Sequence, residues 1–406
     1  MKIAILGFGT VGSGVAEVLD TNKALITQRA GEEIEVKYVL DLRDFPGQKI
    51  QEKIVHDYDV IADDPEIKVV VEVMGGVEPA NTFVKRALLA GKSVVTSNKA
   101  LVAKCGADLL KTAREKKVNF LFEASVGGGI PILRALGVSL TADEIEEITG
   151  ILNGTTNYMM TKMFYEGADY RTVLKEAQQN GYAEADPTAD VEGYDACRKI
   201  AILASIISGK QVDFEDIYTE GITKVTSEDM KYAKAMGMTI KLLAKCIYRD
   251  GKISAGVAPC LLPAEHPLYS VNDVFNAVFV RGNMLGDAMF YGSGAGKLPT
   301  ASAVVSDVIA AVKNPDKDIM NFWSEEKQPL VAWKDTKKRF LVRVKGDWPE
   351  KDGEVRKVFG GDVVFVETEE RLGECGFVTP VMTEEAYQEK AETFDGILHM
   401  IRIEED

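Results

Sequence analysis

The sequence predicts an α/β protein built from a doubly wound parallel sheet, a second α+β domain and a small C-terminal βαββαβ unit. Three observations support this fold class. Short apolar strands alternate with helices over residues 1–133, a polar motif leading into an apolar helix follows at residues 181–208, and a β-α-β-β-α-β order of patterns ends the chain. With 406 residues, 46% of them hydrophobic, the chain is long enough for two or three globular domains.

The first element is a short apolar strand at residues 2–6, KIAIL, which a glycine-rich turn follows directly. In this GxGxxG pattern Gly7 allows the tight turn, Gly9 lets the backbone approach a pyrophosphate, and Gly12 lets helix and strand pack closely. The anion would lie on the free N–H groups at the start of the next helix. We therefore predict a Rossmann-type dinucleotide site, the alternative being a turn without a ligand. The residues of the predicted cofactor-binding turn are Gly7, Phe8, Gly9, Thr10, Val11 and Gly12.

The second strand, EVKYVLD, ends at Asp41. An acid at the end of this strand typically binds the ribose 2′-hydroxyl of NAD, whereas the nearby Arg43 could meet the 2′-phosphate of NADP. The pattern therefore leaves the choice between NAD and NADP open.

Two later strands also end in polar or glycine residues, at Gly75 and Gly76 and at Asn98 and Lys99. Ligands of open parallel sheets bind beyond the carboxyl ends of the strands, so all four positions are candidates for the site. Lys99 lies in the first turn of a helix, where the helix dipole disfavours a cation. Such a violation of a local rule tends to mark a functional site, although an exposed lysine could also tolerate the small penalty.

The polar motif GYAEADPTADVEGYDACRKIAILASIIS places Asp195 and Lys199 four residues apart on one helix face. The same face continues through Ile202, Leu203 and Ile206, so we expect the charged pair to point inward rather than to be an exposed ion pair. The opposite face carries the smaller side chains Cys197, Ala201, Ser205 and Ser208. The preceding loop adds the carboxylates of Glu184, Asp186 and Asp190. One cation among several anions suits an amino acid, whose ammonium needs carboxylate partners.

Composition and charge exclude several other classes. The chain has 48 basic and 63 acidic residues, a net charge of −15, which argues against a nucleic-acid binder. Its five scattered cysteines predict neither a disulfide framework nor a zinc site, but a reducing compartment. Three isolated histidines argue against a histidine-based catalytic triad. With neither a signal-peptide pattern nor a bilayer-length apolar stretch, we expect a cytoplasmic protein without membrane contact.

The last part of the chain contains two further patterns. A glycine-rich turn at Gly292–Gly296 precedes a long apolar helix. After residue 333 the segments KRFLVRVKG, EVRKVFGG, DVVFVE, CGFVTPVM, TEEAYQEKAETF and GILHMIRIEE predict a ferredoxin-like unit with an antiparallel sheet, which we expect to fold separately from the first sheet.

Taken together, these motifs resemble the homoserine dehydrogenase family over nearly the whole chain. The motifs that carry the resemblance are GFGTVG, TSNKALVA, FEASVGGGIPI, ILNGTTNYMMTKM, GYAEADPTADVEGYDACRKIAIL and YGSGAGKLPTASAVVSD. The resemblance implies an NAD(P)-dependent oxidoreductase that interconverts L-homoserine and L-aspartate 4-semialdehyde in threonine, methionine and isoleucine biosynthesis. It further implies a homodimer or higher homo-oligomer assembled through the second domain.

The resemblance also assigns residues. The catalytic lysines fall on Lys199 and Lys99; the substrate-binding residues are Glu184, Asp190, Asp195 and Thr155; the cofactor contacts include Gly296. Spacing alone predicts that EASVGGGIP is a loop whose oxygens could bind a hard cation. The resemblance implies that this cation is a structural sodium ion held by Glu123, Val126, Gly128 and Ile130. The implied domains are 1–133 with a return segment of about 297–325 (cofactor), 134–296 (substrate and dimerisation) and 334–406 (regulatory).

Two positions depart from the family pattern. Leu40 stands where many NADP-using relatives have an arginine, which tilts the prediction towards NAD or dual use. The C-terminal unit resembles an ACT domain, which in many relatives mediates threonine inhibition. Here it reads GDWPEKDGEV where the Asp-x-Pro-Gly turn is expected, so threonine control is in doubt.

Two alternative functions stay open at this point. A phosphorylating semialdehyde dehydrogenase would need a nucleophilic cysteine beside a base. Cys105 lies inside a predicted helix and Cys197 on the face opposite Lys199, so neither fits. A non-catalytic, nucleotide-sensing regulator would have no need for the acidic and basic set of Lys99, Asp195 and Lys199.

Overall fold

The computed structural model describes residues 1–320, 322–369 and 373–405; Asn321, Glu370, Arg371, Leu372 and Asp406, which fall within the predicted return segment and C-terminal unit, lie outside the described residues. The strands are β1 Lys2–Leu6, β2 Glu35–Leu40, β3 Ile54–Val55, β4 Ile67–Glu72, β5 Ser93–Thr96, β6 Phe120–Leu121, β7 Ile145–Ile151, β8 Lys210–Gln211, β9 Tyr218–Thr219, β10 Met238–Arg249, β11 Lys252–Pro263, β12 Asn276–Gly282, β13 Gly286–Gly292, β14 Ser324–Lys327, β15 Lys337–Lys345, β16 Val364–Val366, β17 Glu374–Val378, β18 Met382–Thr383 and β19 Ile397–Ile403. The α-helices are α1 Thr10–Thr21, α2 Lys23–Ala30, α3 Asp59–Ala62, α4 Ala80–Leu89, α5 Lys99–Lys116, α6 Ile132–Arg134, α7 Gly154–Glu166, α8 Tyr170–Gln179, α9 Thr188–Val191, α10 Tyr194–Ser208, α11 Ser227–Ala235, α12 Lys297–Lys313, α13 Trp348–Phe359 and α14 Glu384–Glu392.

Strands β1 to β6 form one parallel sheet in the order β3-β2-β1-β4-β5-β6, which confirms the doubly wound prediction. Alternate strand residues face opposite cores, because side chains alternate along a strand. Ile3 and Ile5 contribute to the core under α1 and α12, whereas Ala4 and Leu6 contribute to the core under α4 and α5. The strand order reverses between β1 and β4, so a crevice opens there at the carboxyl edge of the sheet.

The return helix α12 packs against α1 in the first domain. A Cβ atom built on Gly14 would lie 2.8 Å from the carbonyl oxygen of Lys297 and 3.1 Å from the Cβ atom of Ala301. The two helices therefore approach too closely for a side chain at Gly14. As a result, the end of the second domain leads straight back onto the nucleotide-binding sheet.

The second sheet is larger than the sequence patterns indicate. Its strands follow the order β13-β12-β7-β10-β11-β19-β15-β17-β16, and α7, α10 and α11 pack on one face. The C-terminal unit has the predicted βαββαβ order and is separate from the first sheet. However, it continues the sheet of the second domain, because β19 pairs in parallel with β11 at Cys260–Arg402 and Leu261–Ile403. In the described part of the chain, no helix is long and apolar enough to cross a membrane.

Helix α10 does point the predicted pair inward, since Asp195 and Lys199 are 3% and 8% exposed. The face that carries the smaller side chains was expected to lie opposite the interior. It is buried as well at Cys197, Ala201 and Ser205. The physical reason is that α10 lies between α5 on one side and β10 and β11 on the other, so most of its circumference is covered.

Candidate active site

The glycine turn after β1 has the geometry of a dinucleotide-binding turn. Gly7 has a φ of +96°, a left-handed conformation that favours glycine. A Cβ atom on Gly12 would lie only 2.0 Å from the carbonyl oxygen of Gly7, whereas one on Gly9 would meet nothing within 4 Å. Gly12 is therefore needed for packing, and the open space at Gly9 leaves room for a ligand to approach the backbone at the start of α1.

Beside this turn lies a cavity of about 570 Å³ between the ends of β1, β2 and β4. Its walls include Gly7, Phe8, Gly9, Leu40, Asp41, Leu42, Arg43, His56, Tyr58, Val73, Met74, Gly75, Pro79 and Phe83. The backbone N–H of Phe8 donates to Asp41 Oδ2 over 2.8 Å, which fixes this acid beside the turn. The shape and position suit the adenosine half of a dinucleotide.

Arg43 holds Asp41 in a bidentate pair. Its Nε donates to Oδ1 and its Nη2 to Oδ2, each over 3.0 Å. The guanidinium group of Arg43 holds the pKa of Asp41 well below its usual range, so the acid is ionised. The Arg43 side chain is 61% exposed and also lines the cavity. The candidate partner of the ribose 2′-hydroxyl of NAD, Asp41, and that of the 2′-phosphate of NADP, Arg43, therefore lie side by side.

The next two strand ends are tied together by side chains. Asn98 is the N-cap of α5: its Oδ1 accepts from the backbone N–H of Leu101, and its Nδ2 donates to the carbonyl oxygen of Gly76 over 2.6 Å. Gly75 and Gly76 have φ values of +85° and +75°. The cap fixes the start of α5, where Lys99 is the first residue, next to the turn that carries the two glycines.

Two lysines and one aspartate meet where the two domains face each other. Lys199 Nζ lies 2.7 Å from Asp195 Oδ2, and Lys99 Nζ lies 2.5 Å from Asp195 Oδ1. Lys199 also donates to the carbonyl oxygen of Leu152, over 2.7 Å, at the end of β7. The contact with Asp195 explains why a cation is tolerated in the first turn of α5: a carboxylate from the other domain compensates the helix dipole.

This environment sets the protonation of the buried pair. Burial lowers the pKa of Lys199, although the Asp195 carboxylate opposes the shift. Burial alone would raise the pKa of Asp195, but the two ammonium groups hold it well below its usual range. Asp195 is therefore ionised, and Lys199 is an amine whose proton is held less tightly than that of an exposed lysine.

Asn153 is a site residue that the sequence reasoning left without a role. Its Nδ2 donates to Asp190 Oδ1 over 2.7 Å and to Asp195 Oδ2 over 2.9 Å, and its Oδ1 accepts from the N–H of Thr156 as the N-cap of α7. It thus holds two of the predicted acids together. Burial raises the pKa of Asp190. The position of Asn153 at the end of an apolar strand was a usable signal, the same one that singled out Asn98.

The remaining predicted substrate residues lie nearby, with different exposure. Thr155 is buried and its hydroxyl donates to the carbonyl oxygen of Tyr182 over 2.5 Å. Glu184, two residues further along the same loop, is exposed, and no ion pair of the described residues includes it. The structure therefore groups Asp190, Asp195 and Lys199 tightly and leaves Glu184 at the rim.

Gly296 starts the return helix α12, with a φ of +116°. The turn before it contacts the loop after β6: the N–H of Gly129 donates to the carbonyl oxygen of Ser293, and a Cβ atom on Gly128 would lie 2.3 Å from the carbonyl oxygen of Gly294. This close packing of backbone on backbone needs glycine at position 128, whereas a Cβ atom on Gly294 would instead meet the Asn276 side chain at 2.0 Å.

Glu123 is buried in the same loop, and its carboxylate has internal partners. Its Oε1 and Oε2 accept from the N–H groups of Leu133 and Arg134 over 2.8 and 2.7 Å. Burial raises the pKa of Glu123 to about 7. Its side chain therefore caps the segment that leads into the second domain.

The fold and the site define an NAD(P)-dependent oxidoreductase: a doubly wound sheet with a glycine turn at its crevice faces an acid–base set from a second domain. Comparison with known families agrees. Residues 7–123 match the model "Homoserine dehydrogenase, NAD binding domain" and residues 131–309 match "Homoserine dehydrogenase". The chain belongs to the homoserine dehydrogenase family, whose members interconvert L-homoserine and L-aspartate 4-semialdehyde with NAD(P) in amino-acid biosynthesis.

Individual relatives show how far the similarity extends. Homoserine dehydrogenase of Bacillus subtilis (strain 168) is 47% identical over 322 residues, 77% of this chain and 73% of the relative. The crystal structure of the Thiobacillus denitrificans enzyme covers 100% of this chain and 98% of its own, with a TM-score of 0.91 at 36% identity. A hyperthermophilic archaeal homoserine dehydrogenase in complex with NADPH covers 76% of this chain and 97% of its own, with a TM-score of 0.65 at 30% identity.

The two alternative functions are not favoured. Burial raises the pKa values of the Cys105 and Cys197 thiols, and Cys197 donates to the carbonyl oxygen of Phe214, so neither is an activated nucleophile. A purely sensing module would not require two lysines on one buried aspartate.

Proposed function

We propose that Lys199 is the group that moves the proton during homoserine oxidation. The alcohol oxygen of homoserine must lose a proton as the carbon bearing it loses a hydride. When bound, the cofactor supplies the hydride acceptor, and its glycine turn and cavity lie in the domain that faces Lys199. A lysine whose pKa burial has lowered is neutral at a lower pH than an exposed lysine, so it can accept the hydroxyl proton and return it in the reverse reaction.

Asp195 and Leu152 hold Lys199 in position for this role. Two acceptors, Asp195 Oδ2 and the carbonyl oxygen of Leu152, each lie 2.7 Å from Nζ. A neutral amine has two N–H groups and one lone pair, so with both N–H groups held by these acceptors the lone pair is left to accept the proton of the substrate hydroxyl. Asp190, held by Asn153, is placed to receive the substrate ammonium, with Glu184 and Thr155 at the edge of the same site.

Lys99 has a separate task in this proposal. Its side chain is 42% exposed, and it reaches Asp195 from the cofactor-binding domain. We assign it to positioning substrate and nicotinamide across the cleft, because it extends from the cofactor-binding domain to an aspartate of the second domain, whereas Lys199 is buried beside that aspartate. The different roles proposed for Lys99 and Lys199 thus follow from the different burial of their side chains.

The observation that carries this proposal is the buried Lys199–Asp195 pair joined by Lys99. The test is Lys199→Met, assayed with homoserine and either cofactor, beside Lys92→Met as a matched control. Lys92 is also buried, at 4% exposure, but it bonds carbonyl oxygens of Asp64 and Ile67, away from the site. We expect kcat to fall by about 100- to 10,000-fold in Lys199→Met while cofactor binding persists. Retention of most activity in Lys199→Met would contradict the assignment.

For the cofactor we propose use of both NAD and NADP. The Asp41 carboxylate can accept from a ribose 2′-hydroxyl, and the exposed guanidinium of Arg43 can instead donate to a 2′-phosphate. The test is Arg43→Ala: kcat/KM with NADP should fall by about 10-fold or more, since a charge-assisted hydrogen bond contributes about 1.5–3 kcal/mol, while kcat/KM with NAD changes little. An equal loss with both cofactors would contradict this reading.

We further propose a structural sodium ion at Glu123, Val126, Gly128 and Ile130. The carbonyl oxygens of Val126 and Gly128 are buried, and none of the backbone hydrogen bonds in the described residues ends on them, which suits a hard cation. Because both carboxylate oxygens of Glu123 already accept N–H groups, Glu123 would offer its backbone oxygen. Replacing sodium with choline at equal ionic strength should then lower the temperature of thermal unfolding.

The remaining assignments concern architecture. The packing of α12 on α1 supports a cofactor domain of residues 1–133 plus about 297–325, with 134–296 as the substrate and dimerisation domain and 334–406 as an ACT-like unit. Strand β13 is the last strand in the order of its sheet, and Met289 and Tyr291 on it are exposed, which supports a homodimer through this domain.

The free cysteines support a reducing compartment such as the cytoplasm. Light scattering, and an assay with and without threonine, test the oligomer and the effector.

A further inference from the structure

A buried carboxylate lies at the centre of the carboxyl edge of the first sheet and has no role in the reaction proposed above. Glu72 is the last residue of β4 and is 0% exposed. It pairs in register with Leu6 of β1 on one side and Thr96 of β5 on the other. Its side chain therefore lies next to the crevice between β1 and β4, where the sheet binds its ligand.

Hydrogen bonds alone stabilise this carboxylate. Oε1 accepts from the backbone N–H of Met74 over 2.8 Å and from Asn98 Nδ2 over 3.4 Å, and Oε2 accepts from the Thr96 hydroxyl over 2.6 Å. None of the ion pairs in the described ranges includes Glu72. A buried acid without a cationic partner is costly, so a purely apolar residue would serve packing better here.

The partners of Glu72 are the residues that orient the two sides of the cofactor site. Met74 begins the turn that continues into Gly75 and Gly76. Asn98 caps α5 directly before Lys99, and its Nδ2 joins the carbonyl oxygen of Gly76 to Glu72. The Thr96 hydroxyl, which donates to Glu72, accepts from the N–H of Asn98 over 2.9 Å. One carboxylate thus sets the turn and the start of the lysine-bearing helix relative to each other.

We propose that Glu72 is a positioning residue for the nicotinamide side of the site. It acts through Asn98 and the turn of residues 73–76, and it holds Lys99 and the cofactor-binding backbone in one fixed arrangement. The inference rests on the proposed roles of Lys99, Gly75 and Gly76. It goes beyond them because Glu72 itself need touch neither cofactor nor substrate.

The experiment compares Glu72→Gln and Thr96→Val with Thr112→Val in the full-length protein. Gln has nearly the shape of Glu but cannot accept all three hydrogen bonds, and Thr96→Val removes one donor without changing Glu72. Thr112 is a matched control, since it is also buried on the first domain but its hydroxyl donates only to the carbonyl oxygen of Asp108 in its own helix.

The first readout is the Kd of NADH and NADPH, from fluorescence titration without substrate. We expect both Glu72→Gln and Thr96→Val to raise Kd, and to lower kcat/KM for the cofactor by about 10- to 100-fold, because small displacements of aligned groups are costly. The KM of homoserine should rise less than the Kd of the cofactor, since Lys99 is the one proposed substrate-positioning residue on the helix that Glu72 orients and the others lie in the second domain. Thr112→Val should match wild type throughout.

The second readout is the primary deuterium isotope effect on kcat with homoserine deuterated at the reacting carbon. It should rise in Glu72→Gln, because misalignment slows hydride transfer itself, whereas a variant that merely folds less well would lose amplitude without changing it. Unchanged Kd and isotope effect in both Glu72→Gln and Thr96→Val would overturn the inference. If Glu72→Gln fails to fold, Thr96→Val alone decides.

A further arm separates this inference from the proposed function. Gly9→Ala adds a methyl group where no atom of the chain lies within 4 Å, so it should weaken the cofactor without unfolding the protein. If Gly9→Ala leaves Kd unchanged, the cofactor site itself is misplaced. If Gly9→Ala weakens binding while Glu72→Gln and Thr96→Val do not, only the role of Glu72 is wrong.

Discussion

Replacing Asp195 by asparagine should move the pH dependence of homoserine oxidation to lower pH. In the wild type the Asp195 carboxylate lies 2.7 Å from Lys199 Nζ and opposes the effect of burial, which lowers the lysine pKa. Asparagine preserves the shape and removes the charge. The protonated form of Lys199 then loses its nearest anion, so its pKa should fall further.

The magnitude follows from the short distance and the burial of the pair. Opposite charges about 4 Å apart interact by about 4 kcal/mol at an effective dielectric constant of about 20, and nearby opposite charges typically shift a pKa by about 1–3 units. Oxidation requires the neutral amine, so activity increases as pH rises through the Lys199 pKa. The acid limb of the profile should therefore lie about 1–3 pH units lower in Asp195→Asn, even though kcat at its optimum is reduced.

The assay is kcat/KM for homoserine, followed by NAD(P)H absorbance from about pH 5 to about pH 10. Asp190→Asn is the matched control, because Asp190 is also a half-buried acid of the site but has Asn153 rather than Lys199 as its hydrogen-bond partner. Its acid limb should move much less. An acid limb that stays in place or moves to higher pH in Asp195→Asn would refute the assignment of Lys199 as the base.

Three further predictions concern other residues. Asn153→Ala should raise the KM of homoserine by about 10-fold, since Asp190 and Asp195 lose a shared donor worth about 1.5–3 kcal/mol; an unchanged KM in steady-state assays would show that Asn153 serves only as a helix cap. Gly12→Ala should lower the unfolding temperature strongly, because its Cβ would meet the Gly7 carbonyl at 2.0 Å, whereas Gly9→Ala should not; calorimetry on the cofactor-free protein distinguishes them. Burial lowers the pKa of Lys241 from 10.5 to about 8. Between these pH values Lys241 is protonated in the unfolded chain but largely neutral in the folded protein, so folding becomes more favourable as pH rises. From about pH 8 to about pH 10.5 the unfolding free energy of wild type should therefore increase by up to about 3 kcal/mol relative to that of Lys241→Met. Urea unfolding at a series of pH values measures this difference.

The sequence predicted well those features that depend on neighbours along the chain. The glycine turn, the inward pair of Asp195 and Lys199, and the strand order of the C-terminal unit all follow from spacing or from alternation of apolar residues. The burial of Cys197 could not be predicted in this way. A helical face is covered only if another element packs on it, and here the thiol of Cys197 donates to the carbonyl oxygen of Phe214 in the segment that follows α10.

Contacts between distant segments were the main omission. The local sequence marks Lys99 as a cation in an unfavourable position and the family resemblance makes it a catalytic lysine. Nothing in its local sequence identifies Asp195 as its partner, because the two residues lie on helices of different domains. Asn153 and Glu72 were missed for a related reason. Each is a polar residue at the end of a strand, but its importance depends on which strands and helices end beside it. The parallel pairing of β19 with β11 was equally hidden, since the two strands are far apart in the sequence and no local pattern of either identifies the other.

The different exposure of the two lysines has a consequence for how the domains work together. The Lys99 side chain is 42% exposed whereas that of Asp195 is 5% exposed, so only the lysine end of this pair is in contact with solvent. Lys199 is buried with Asp195 on one helix, and separating that pair would leave an uncompensated buried charge, at a cost of about 3–5 kcal/mol. Separation of the two domains would therefore return the Lys99 ammonium to water while Lys199 and Asp195 stayed together on α10. If Lys199 moves the proton as proposed, an opening of the cleft for exchange of substrate and cofactor would leave that lysine paired with its aspartate.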